Sequence, residues 1–172
     1  VVCLCRGQPN VFTFDFSAGE LQPELKQVFF HWRNAAEDGN FPRLTQFELP
    51  NARPAPNILS VFEIERTQSG EPADFKALYI RNKIINTLSR KYVGTRLSEH
   101  PGFGPGSMIW SCFHEVASSS RPLLAALPYV GPLPEYRSTS ELYMPLLGEG
   151  VSVDYVFVGV VLLEQEYSHK AP

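Results

Sequence analysis

Cysteine is scarce, with three residues in a chain of 172: Cys3, Cys5 and Cys112. An odd number without paired spacing excludes a disulfide framework, and no second Cys or His pair follows Cys3-Leu4-Cys5 at ligand spacing, so no metal site is expected. Basic excess is lacking too. Fifteen Lys and Arg stand against eighteen Asp and Glu, a net charge of −3, which gives no field for nucleic-acid phosphates or anionic lipid. Long apolar runs are missing: the longest near the C-terminus, Tyr155 to Leu163, is far short of the about 20 residues of a spanning helix. Neither nucleic acid nor membrane is an expected partner, and the reducing context of the thiols points to the cytoplasm. The chain begins at Val1 rather than at a methionine, which leaves its encoded start open. What is present in quantity is apolar: 44% hydrophobic residues against 19% charged describe a globular core of one domain rather than a disordered chain.

The apolar periods divide the chain. Phe12, Phe14 and Phe16 alternate with Thr13 and Asp15, so residues 1–20 are read as a tail or an extra strand. Ser17 and Glu20 have capping-box spacing ahead of Pro23, and Leu21, Leu25, Val28, Phe29, Trp32 and Ala36 recur at helical steps up to Gly39, which predicts an amphipathic helix within 21–40. Four prolines between Phe41 and Asn57 predict an ordered connector over 41–57, because each fixes φ and removes a donor. Ile58 to Arg66 and Phe75 to Arg81 read as a hairpin around Gly70 and Pro72. Asn82 is placed to cap a helix presenting Ile84, Ile85, Leu88 and Tyr92, with Gly94 at its end. A second helix carries Met108, Ile109, Cys112, Phe113 and Val116 and closes at Ser118 to Ser120. Three strands follow: Leu123 to Val130, Arg137 to Leu147 and Val151 to Leu163. In the last, Tyr155, Phe157 and Val161 oppose Val156, Val158 and Val160, so it is expected to be central and covered on both faces.

Motifs that carry chemistry are weak. Gly102, Gly104 and Gly106 have neither the spacing nor the preceding strand of a dinucleotide loop. Ser118 to Ser120, His114 and Asp154 supply the residue types of a hydrolase triad without a nucleophile elbow. Tyr143 with Asp154 is the better enzymatic pair, a tyrosine to polarise a carbonyl and a carboxylate to abstract a proton, as in a small α+β isomerase.

The order of elements, with Trp32-Arg33, Pro42-Arg43, Leu49, Pro56, Gly94-Thr95, Leu97, Glu99, Pro145-Leu146, Gly150 and Val153-Asp154, resembles a PAS-like family of small, mostly stand-alone alphaproteobacterial proteins. The resemblance runs from Leu21 to Leu163. It departs at Ile80-Arg81-Asn82, where that family has a Val-Gly-Thr turn. It implies an α+β fold: a five-stranded antiparallel sheet of order 2-1-5-4-3, short helices on one face, an N-terminal flanking helix, a core over 58–163 and a tail over 164–172. By analogy of fold it implies a sensory or protein-interaction module, non-enzymatic, with a small-molecule cavity. The cofactor is left unknown. Cys112, in Trp110-Ser111-Cys112-Phe113, lacks the Asn-Cys-Arg-Phe context of flavin-adduct PAS domains, and His114, in the region that presents haem ligands, is read as partly solvated. With two helix faces and two strands converging on one side of the sheet, the cavity wall is expected from Tyr79, Ile85, Leu88, Trp110, Phe113 and Tyr143. A homodimer is expected through the N-terminal helix, with Trp32 as anchor, because that helix and the second face of the central strand both need cover.

Overall fold

The computed structural model describes residues 12–36, 40–51, 53–84 and 91–164. A six-stranded antiparallel sheet carries two layers. Its strands are β1 (Phe12–Thr13), β2 (Ile58–Arg66), β3 (Pro72–Asn82), β4 (Leu123–Pro128), β5 (Tyr136–Leu147) and β6 (Val153–Glu164), in spatial order β1-β4-β5-β6-β2-β3. Without the two-residue edge strand β1, this is the expected order 2-1-5-4-3. The alternating phenylalanines therefore begin an extra strand, with Phe12 opposite Ala125 and Thr13 opposite Leu124. The apolar β6 is central, between β5 and β2.

Helix α1 (Pro23–Asn34) crosses one face of the sheet and α2 (Met108–Ser119) the other. Ser17 and Glu20 form a turn before α1 rather than its cap. The Glu20 carboxylate accepts the Ser17 backbone N–H at 2.5 Å, which holds it below the usual carboxylate range, while Pro23 supplies the pre-set φ of the first turn. Gly39, the expected stop of this helix, lies outside the described residues. In α2 the Ser107 hydroxyl accepts from Trp110 N at 3.1 Å, and Ser120 ends the helix with a positive φ of 54°.

The stripe of α1 is covered by the chain's own sheet. Leu25, Val28 and Trp32 are buried with Leu59, Leu142, Met144, Leu146 and Phe157. Gly159 lets the helix approach, since a Cβ there would meet Leu25 Cδ2 at 3.1 Å. The indole N–H of Trp32 donates to the carbonyl of Pro145 at 2.9 Å. That carbonyl lies past the end of β4, whose first residue, Leu123, pairs with Tyr143, so Pro145 removes no ladder donor there and its oxygen needs another partner. The connector takes over as neighbour of β5: Leu147 N–H donates to Pro42 O at 2.9 Å and Leu44 N–H to Leu147 O at 3.0 Å. Arg43 Nη1 donates to Gly148 O at 2.9 Å and Gly150 O at 2.5 Å. The two surfaces from which a dimer was expected are thus packed against each other within one chain, and Trp32 is an internal anchor.

Candidate functional site

The other face of the sheet carries a cavity of about 640 Å³. Strand alternation decides which residues meet it: Ile58, Ser60 and Phe62 from β2, Thr139, Glu141 and Tyr143 from β5, and Val158, Val160 and Leu162 from β6. Ile109 and Phe113 come from α2, Leu97 from a 3₁₀ turn over Leu97–Glu99, and Phe103 from the glycine loop. The turn between β4 and β5, Tyr129 to Leu133, contributes the exposed rim residues Val130 and Pro132. Arg96, also on the wall, is held in a bidentate pair with Glu65, at 2.6 and 2.8 Å. Thr95 Oγ1 donates to Tyr92 O at 2.7 Å and so accepts from His100 Nε2, also at 2.7 Å.

Besides Arg96 and the Thr95–His100 pair, a buried polar cluster on β5 stands on this largely apolar wall. The Glu141 carboxyl is buried, and its Oε1 accepts from Thr139 Oγ1 at 2.6 Å while its Oε2 accepts from the Tyr143 hydroxyl. Burial raises the Glu141 pKa, and the two hydroxyl donors offset only part of that rise. Burial, then the neighbouring Glu141, puts the Tyr143 hydroxyl well above its ordinary value. From α2 the buried Cys112 thiol faces the same pair and is pushed up to about 12, first by desolvation and then by Glu141.

Of the six residues expected on the wall, Phe113 and Tyr143 are there, their rings edge to face at 5.1 Å. Trp110 is on the same side of the sheet but one step round α2 from Ile109, so it packs edge-on against Phe75 at 5.2 Å and leaves the cavity to Ile109. Tyr79 is a correction. The β2–β3 register slips between Val61, opposite Tyr79, and Phe62, opposite Ala77. This bulge at Leu78 inverts the phase of the strand, so Ile80 faces the cavity and Tyr79 joins the α1 side. Ile85 and Leu88, with the middle of the helix expected after Asn82, lie outside the described residues; Asn82 Oδ1 accepts from Ile84 N–H at 2.9 Å.

The Tyr143–Asp154 pair is not assembled. Asp154 sits at the start of β6, where Ser152 Oγ donates to its Oδ1 at 2.9 Å and Gly148 lies alongside, whereas Tyr143 is opposite Val158. The carboxyl that meets Tyr143 is Glu141, two residues back on the same face. Sequence reasoning missed it, although period-2 alternation from Tyr143 through Glu141 to Thr139 carried the signal. His114 contacts Ser118 Oγ at 3.5 Å and is not on the cavity wall. Among the described residues no group of three or more His, Cys, Asp and Glu side chains is placed to hold a metal ion, and no helix is long and apolar enough to cross a membrane.

Comparison with protein-family models, with curated proteins and with solved structures found no match to this chain. What is shown is the fold: an α+β domain whose five main strands run in the order 2-1-5-4-3, with a flanking helix on one face of the sheet and a cavity on the other.

Proposed function

We propose that the chain is a cytoplasmic PAS-type sensory module that takes a small molecule into the cavity beneath α2 and does not transform it. The observation that carries this is the cavity itself. Its volume of about 640 Å³ lies in the range of about 300 to 1,000 Å³ usual for ligand sites, and its largely apolar wall with a few polar groups has their ordinary composition. A route for output runs through the sheet. In β5 and β6 the residues that alternate with Glu141, Tyr143, Val158 and Val160 are Leu142, Phe157 and Gly159, which pack with α1. A ligand that shifts these strands changes the seat of α1, and with it the surface around the exposed Phe30, where a second copy or another protein would dock.

The second reading, an isomerase-like enzyme, is favoured by the Glu141–Tyr143 pair in the cavity. It ranks lower because the tyrosine hydroxyl donates to the carboxyl itself, whereas the acid–base mechanism needs these groups aimed separately at a carbonyl and at a C–H.

Native mass spectrometry of freshly purified protein tests the proposal. The expected result is a bound mass in the wild type that is lost in Ile109→Trp, which fills the cavity at about 1 to 3 kcal/mol of overpacking. A bound mass retained by Ile109→Trp would put the ligand elsewhere. A wild type with nothing bound, and more stable once Ile109→Trp fills the space, would make the cavity a packing defect.

A further inference from the structure

The wall of the cavity is apolar apart from a few groups, and most of those have partners of their own. Arg96 is paired with Glu65, and His100 is bonded to Thr95. The exception in charge is Glu141: its two hydrogen bonds come from neutral hydroxyls, and among the described residues no cation pairs with it. Its neighbours across the sheet are apolar, Ala125 on β4 and Val160 on β6. The titratable groups beside it are Tyr143 on its own strand and Cys112 on α2; the others on the wall are Tyr92, Arg96, His100 and Tyr129.

A carboxyl in such a place has two ways to be neutral: it keeps a proton, or it meets a cation. We propose that the ligand of this cavity is an amphiphilic organic cation, an apolar body bearing a protonated amine that sits against Glu141. The inference rests on the cavity being a binding site. A neutral ligand of the same shape leaves Glu141 to be neutralised by a proton. A carboxylate ligand brings a second negative charge into low dielectric. The order of affinity is therefore amine, alcohol, acid. The apolar wall formed by Ile58, Phe62, Ile80, Val158, Val160 and Leu162 receives the ligand's hydrocarbon in each case.

Calorimetric titration with octylammonium, 1-octanol and octanoate tests this. Octylammonium is expected to bind on the order of tenfold more tightly than 1-octanol, the scale of a charge-assisted contact, with octanoate weakest. The preference for the amine over the alcohol should fall as the solution is acidified through the raised Glu141 pKa, since an alkylammonium stays charged throughout, and the fall should persist in His100→Gln, which removes the imidazole from the wall. Glu141→Gln should abolish the preference, and the acid titration of the wild type gives the same information if that variant does not fold. Equal binding of amine and alcohol, or a preference unaffected by acid, overturns the cation and leaves the cavity reading intact. Failure of all three probes to bind overturns both.

Discussion

Replacing Trp32 with phenylalanine isolates one contact between α1 and the sheet. Trp32 is 6% exposed and lies between Phe29 and Phe41, with ring centroids at 5.9 and 5.8 Å. Its N–H satisfies the Pro145 carbonyl at 2.9 Å. Phenylalanine keeps an aromatic ring there but has no donor, and the connector's own hydrogen bonds begin two residues further on, at Leu147. An unsatisfied buried carbonyl costs about 1 to 3 kcal/mol, and the void left by the smaller ring adds on the order of 1 kcal/mol. A loss near 3 kcal/mol lowers the melting midpoint by about 9 °C, at roughly 3 °C per kcal/mol for a domain of this size. Differential scanning calorimetry reads the shift, and sedimentation of both proteins reads their mass. A Trp32→Phe midpoint within about 1 °C of wild type would refute the docking of α1 described above. A halved mass with an unchanged midpoint would instead return Trp32 to an interface between copies.

Two further outcomes follow from the buried cluster. Because the Glu141 pKa is higher in the folded chain than in the unfolded one, the folded state binds more protons between the two values. Its stabilising contribution is complete below the unfolded carboxylate pKa and is lost as pH rises through the folded one. Glu141→Gln, whose amide can both accept from and donate to the two hydroxyls, is expected to remove this decline, so its advantage over wild type in urea unfolding grows with pH; parallel pH profiles would show Glu141 to be solvated. Cys112, buried and raised to about 12, should resist iodoacetamide at neutral pH in a Cys3→Ser, Cys5→Ser background and react once urea unfolds the chain, because only the thiolate attacks. Labelling of the native protein at the rate of an unfolded peptide, followed by mass, would contradict its burial.

Several residues that carried the PAS-like resemblance hold the N-terminal segment on the sheet rather than line the cavity. Trp32 bonds the carbonyl of Pro145, and Arg43 gathers the carbonyls of the β5–β6 turn at Gly148 and Gly150. Gly94 supplies a positive φ of 87° beyond Tyr92, whereas Thr95 and Leu97 of the same set do stand on the cavity wall. The wall residues Thr139, Glu141 and Ile109 lie outside that set.

Local patterns along the chain account for the elements and most of their phases. The period of Leu25, Val28 and Trp32, the proline-dense connector, the hairpin around Gly70 and the two apolar faces of β6 are local patterns, and a local pattern is enough to say which side chains share a side. Phe113 and Tyr143 were legible on the cavity wall for that reason. What stands opposite each side depends on contacts between distant parts of the chain. The bulge at Leu78 comes from how β3 pairs with β2, so no reading of β3 alone sends Tyr79 to the α1 face. The cover for the second face of β6 is the chain's own α1, because the donor of Trp32 and the acceptor of Pro145, 113 positions apart, meet only in the folded state. Glu141 reads in the sequence as an ordinary charged residue of a strand. It becomes a buried acid with no cation beside it among the described residues because Ala125, Val160 and Cys112 close around it, and burial is a property of the neighbours that arrive, which alternation along one strand does not contain.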